Sequence, residues 1–76
     1  MSELGRVLWR SRRGMLELDL VLSGFLERHW KSLDPDQARD YLALLEYPDA
    51  ELGDIITGKR EIRVGDGTLL QLIRMD

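Results

Sequence analysis

The 76-residue chain contains no cysteine, which excludes disulfide staples, thiol nucleophiles and thiolate metal sites and suits a reducing compartment. Histidine is almost as scarce. A single imidazole, His29, without any cysteine beside it cannot assemble a zinc site, which needs three or four close ligands. No acidic loop has calcium-binding spacing, and there is no glycine-rich phosphate loop; Gly65-Asp66-Gly67 reads as a turn before a helix. Ser11 and Ser23 have no base near them in sequence. The chain is therefore not expected to be an enzyme or to hold a metal. Long apolar runs are missing too: no uncharged stretch exceeds seven residues, as from Leu20 to Leu26. A membrane-spanning helix needs about twenty, and the N-terminus lacks an apolar signal core, so the reading is a soluble cytoplasmic protein with no membrane contact. Only two prolines occur, Pro35 and Pro48, and each marks the edge of an element.

What remains is an ordinary folded composition, 43% apolar and 33% charged, in a length that fits one domain. A chain of this size buries roughly 60% of the surface its unfolded form exposes, so the core is small. The net charge of −3 is unevenly spread. Residues 1–13 carry Arg6, Arg10, Arg12 and Arg13 against Glu3 alone, and the rest of the chain is strongly acidic. A basic end on an acidic body suits an acidic partner, and it also suits plain solvation of a short helix. Nucleic acid is not expected: total charge is negative, and in a helix-turn-helix reading Glu17 and Asp19 would face phosphate.

The apolar spacing predicts five helices and no strand, an all-α five-helix bundle over residues 1–76 with short connections. Ser2 caps a first helix that runs to about Arg12, and Gly14 supplies the left-handed dihedral that stops it. A second helix extends from about Met15 to Lys31. Leu18, Leu22, Phe25 and His29 form one stripe and Leu16 and Leu20 a second, which predicts a central helix packed on more than one side, with His29 packed rather than reactive. Asp34, Pro35 and Gln37 form a helix start with a capping box. That third helix ends near Glu46, because Pro48 pushes Tyr47 out of the helical region. Asp49 caps a fourth helix that stops before Gly58. Residues 59–65 read as a loop in which Ile62 and Val64 alternate with charges, and Asp66 or Thr68 opens a fifth helix.

The junction between the first two helices, Arg12-Arg13-Gly14-Met15-Leu16-Glu17-Leu18-Asp19, holds charge of both signs around a permissive glycine. Glu17 and Asp19 lie near the positive end of the second helix, where carboxylates gain roughly 0.3–1 kcal/mol. Glu17 is also placed to pair with Arg13, and Asp19 to orient an arginine or cap locally. A helix start accounts for the acids but not for paired arginines at a bend beside Trp9. An exposed aromatic among arginines is the composition of an interface anchor, and a core role for Trp9 stands equally open.

At these residues the chain resembles the succinate dehydrogenase FAD assembly factors. Arg13-Gly14-x-x-Glu17 matches their RGxxE signature, with Arg6, Trp9, Arg12, Met15, Leu18 and Asp19 around it in the family's order and spacing. Leu44-Leu45-Glu46 with Asp49 and Leu52 resembles the family's turn between third and fourth helices. The resemblance covers nearly the whole chain, although the chain stops at Asp76 without the short tail many relatives carry. It implies a chaperone-like assembly factor, not an enzyme. Such a factor binds the flavoprotein subunit of succinate dehydrogenase or fumarate reductase and promotes covalent FAD attachment to a client histidine. It binds no cofactor stably itself and is expected to be monomeric. The resemblance implies partner-binding roles for Arg13, Gly14 and Glu17, with Arg12, Trp9 and Arg6 adding affinity and Asp19 beside them. The alternatives are an antitoxin-like partner-binding module or a small DNA-binding regulator.

Overall fold

The computed structural model describes residues 2–75. Its helices are α1 (Glu3–Ser11), α2 (Leu16–His29), α3 (Pro35–Leu44), α4 (Asp49–Thr57) and α5 (Thr68–Met75), with a 3-10 turn (Trp30–Ser32) between α2 and α3. No strand occurs among the described residues, so the all-α reading holds.

The element boundaries follow from local chemistry. Ser2 Oγ accepts from the Gly5 amide at 3.0 Å and starts α1. Asp34 accepts from the Gln37 amide at 2.7 Å while Gln37 Oε1 accepts from the Asp34 amide at 3.1 Å, a complete capping box with Pro35 in the first turn. The Asp66 carboxylate accepts from both the amide and the hydroxyl of Thr68, where α5 begins. Gly14 and Gly58 take φ of +76° and +87°, the left-handed conformation that ends α1's exit turn and α4.

Three boundaries differ from the pattern in the sequence. α2 tightens into the 3-10 turn at Trp30 instead of continuing as α-helix to Lys31. α3 stops at Leu44, two residues before Glu46, because the chain turns through Leu45–Tyr47 to reach the extended geometry Pro48 imposes. Asp49 does not cap α4: Pro48 occupies the cap position without a side-chain bond, and the Asp49 carboxylate is directed elsewhere.

One hydrophobic core joins all five helices. Phe25 and Leu26 of α2, Tyr41 of α3, Leu52 and Ile55 of α4 and Leu69 of α5 are fully buried, with Val7 of α1 at its margin. Val64 is buried and Ile62 half-buried, so the apolar residues of the 59–67 connection anchor it to the core without strand pairing. Arg74 fastens the same region, donating to the Ile55 carbonyl at 2.7 Å and pairing with Glu61 at 3.2 Å. His29 lies half-buried with its ring 5.1 Å from that of Phe25. The core accepts only one stripe of α2. Leu18, Leu22, Phe25 and Leu26 are covered, whereas Leu16, Leu20 and Val21 are exposed, so α2 is not packed on more than one side as its sequence suggests.

Candidate functional site

The uncovered stripe of α2 meets the exposed face of α1 to form an apolar corner. Trp9 is 68% exposed, Leu16 75% and Leu20 63%, with Met15 and Val21 also open. Trp9 is thus a surface residue. The Arg12 guanidinium lies over its ring, 5.7 Å from the centroid, a cation–π contact that keeps both groups at the surface. Arg6 and Arg10 are exposed on the same helix and join no ion pair among the described residues. A groove of about 440 Å³ runs between α1 and α2, lined by Gly5, Leu8, Trp9, Arg12, Leu16 and Leu20. A second groove, of about 360 Å³, lies on the other side of α2 against α4, with Glu17, Val21, Gly53 and Lys59 on its walls. Exposed large apolar side chains grouped in this way are characteristic of an interaction surface.

The junction that aims this corner is built from backbone bonds to one carboxylate. Asp19 Oδ1 accepts from the Arg13 amide at 2.8 Å and Asp19 Oδ2 from the Gly14 amide at 3.1 Å. Met15, at the cap position of α2, contributes no side-chain bond, so Asp19 reaches back to satisfy the amides that precede the helix. Local capping is therefore the role the structure gives Asp19. A Cβ built on Gly14 would meet nothing within 4 Å, so this glycine answers to backbone conformation alone and leaves an open approach to its Cα.

The arginines on either side of this geometry go different ways. Arg12 points out over Trp9. Arg13 turns in, its side chain only 16% exposed. One Nη donates to the Leu45 carbonyl, while the other donates to the Tyr47 carbonyl at 3.4 Å and meets Asp49 Oδ1 at 3.3 Å. Its Nε is buried without a hydrogen-bond partner among the described residues. Arg13 therefore pairs with Asp49 and not with Glu17, which stands exposed on the first turn of α2. The two stretches that carry the resemblance in sequence, residues 6–19 and 44–52, are thus physically joined through one guanidinium. Sequence reasoning misses this bond, since nothing in local spacing links residues 32 to 36 positions apart. It misses Leu20 and Val21 as surface groups as well, though the second apolar stripe is a visible signal.

Behind the junction, Ser11 is buried; its Oγ donates to the Val7 carbonyl at 2.7 Å and lies 2.6 Å from the Tyr41 hydroxyl. Burial pushes the Tyr41 phenol up to about 12, against smaller opposing effects of the Ser11 bond and the Arg13 charge. No group of His, Asp or Glu residues able to hold a metal ion occurs among the described residues, and none of their helices is long and apolar enough to cross a membrane.

Comparison with known proteins gives a consistent answer. Residues 5–75 match the family model described as flavinator of succinate dehydrogenase. The chain is 41% identical over 57 residues to a Vibrio parahaemolyticus protein named FAD assembly factor SdhE, covering 75% of this chain and 66% of that protein. It is 36% identical over 73 residues to the factor of the same name from Vibrio vulnificus, covering 95% of this chain and 85% of the relative. The Pseudomonas aeruginosa factor of that name is 35% identical over 74 residues, covering 97% and 86%. No solved structure gives a significant match. With the helical layout and the matched residues taken together, the chain belongs to the family of flavinators of succinate dehydrogenase.

Proposed function

We propose that this protein binds the flavoprotein subunit of succinate dehydrogenase, or of fumarate reductase, in the cytoplasm and promotes covalent attachment of FAD to it. It acts as a monomer, is not an enzyme and holds no FAD stably; the flavin and the histidine that receives it belong to the client. The observation that carries this reading is the open apolar corner of α1 and α2, rimmed by arginines, in a chain of the flavinator family.

Trp9 and Arg12 are the natural anchors, since an aromatic ring and a guanidinium lose little side-chain freedom and desolvate over a large area. Arg6 adds charge for an acidic rim on the client. Gly14 lets the client backbone come close, and Glu17 offers a carboxylate beside it. Asp19 holds the Arg13 and Gly14 amides at this junction. A passive binder accelerates flavin attachment by positioning: the client histidine must meet the 8α carbon of the flavin, and clamping client domains in one arrangement removes part of the entropic barrier.

Co-expression with a flavoprotein subunit, read by in-gel flavin fluorescence, tests the reading. The unaltered chain raises the covalent signal, and Glu17→Ala lowers it while circular dichroism stays helical. A covalent signal indifferent to the chain's presence overturns the proposal.

A further inference from the structure

Among the described residues, Arg13 is the one charged side chain of the junction that turns inward to the α3–α4 turn, and its contacts assign it a different task from its neighbours. Its backbone amide is held by Asp19 at 2.8 Å, next to the Gly14 amide on the same carboxylate. Its side chain crosses to the turn between α3 and α4, where it meets the Leu45 and Tyr47 carbonyls and Asp49. Those carbonyls lie beyond the last turn of α3 and need donors. The planar guanidinium can serve two carbonyls and a carboxylate at once, a geometry that a lysine ammonium on its flexible stem reproduces poorly. No other side-chain bond ties residues 12–15 to α3 or α4 among the described residues.

We infer that Arg13 is a positioning residue: it fastens the junction of α1 and α2 to the α3–α4 turn, and so holds Gly14 and Glu17 in the outward arrangement that the partner reads, without gripping the partner itself. Asp49 and the Leu45–Tyr47 carbonyls are then part of the functional unit although they lie 32 to 36 residues away. The inference rests on the docking reading for its consequence, but its structural content concerns the free protein.

The experiment has two readouts. In the free protein, amide hydrogen exchange at Gly14 reports the Asp19 bond that Arg13 stabilises. Arg13→Ala speeds that exchange by about tenfold while Leu69 and Ile55 in the core stay protected, and Arg13→Lys restores part of the loss. In the complex, affinity for an isolated flavoprotein subunit falls about tenfold with Arg13→Ala. Asp49→Asn, which spares the core, produces a smaller change of the same kind in both readouts and decides the matter if Arg13→Ala fails to fold. Unchanged Gly14 exchange in the folded Arg13→Ala and Asp49→Asn proteins, with affinity lost in the first alone, overturns the inference and makes Arg13 a direct contact. Failure of the unaltered chain to bind the subunit sinks the docking reading instead, with the exchange result still standing.

Discussion

Tyr41 places a phenol inside the apolar core, where its hydroxyl bonds to the buried Ser11. Ser11 Oγ lies 2.6 Å from that hydroxyl, and burial in the core, not this bond, is what holds the proton on the phenol. Its folded pKa of about 12 exceeds the unfolded value near 10. The folded state therefore holds this proton more tightly, and its stabilising effect is intact below about pH 10 and lost as pH rises through about 12. Chemical denaturation followed from about pH 9 to 12 should show stability falling by up to about 2–3 kcal/mol, with the slope reduced in Tyr41→Phe. Tyr41→Phe also leaves Ser11 with one partner fewer and should lower neutral-pH stability by about 1 kcal/mol. Gly14 makes a second residue-scale prediction. With φ at +76° and open space where a Cβ would stand, Gly14→Ala costs about 1 kcal/mol from backbone strain alone, measured by urea denaturation, without any packing defect. That conformation is legible in the sequence, because a glycine follows an arginine-rich last turn. The destination of Arg13 is not, because only the tertiary fold brings the Leu45–Asp49 turn beside it.

At the scale of elements, the start signals that rest on side-chain chemistry are readable. Asp34 with Gln37, Ser2 and Asp66 each act within three residues, so the sequence contains both partners of every bond. Asp34→Ala should lower stability by about 0.5–2 kcal/mol, seen as a drop in Tm by circular dichroism. The end of α3 and the start of α4 are less readable, since Asp49 is claimed by Arg13 from another part of the chain before it can cap. The open side of α2 escapes for a related reason: periodicity shows which side chains are apolar but not whether the bundle has enough neighbours to cover them. Gly53 gives α4 its own test. It sits in the helix interior, faces the groove between α2 and α4, and a Cβ there would meet nothing within 4 Å. Gly53→Ala should therefore raise stability by about 0.5–1 kcal/mol in thermal unfolding.

For the molecule as a whole, the core leaves one apolar corner of α1 and α2 uncovered. The core supplies stability without help from Trp9, Leu16 or Leu20, whose exposure means that their removal leaves the fold nearly untouched. Trp9→Ala combined with Leu16→Ser should change unfolding stability by less than about 0.5 kcal/mol. The same pair should weaken binding to a flavoprotein subunit by at least about tenfold, as expected where an aromatic anchor is lost. Whether the α1–α2 corner is the docking face is decided by titrating isotope-labelled protein with an isolated flavoprotein subunit, followed amide by amide. The first and strongest perturbations should fall on Trp9, Gly14, Leu16, Glu17 and Leu20. Perturbations confined to the acidic surface around Asp36, Asp40 and Asp66, with the α1–α2 corner unchanged, would place the partner elsewhere and refute the docking role of that corner.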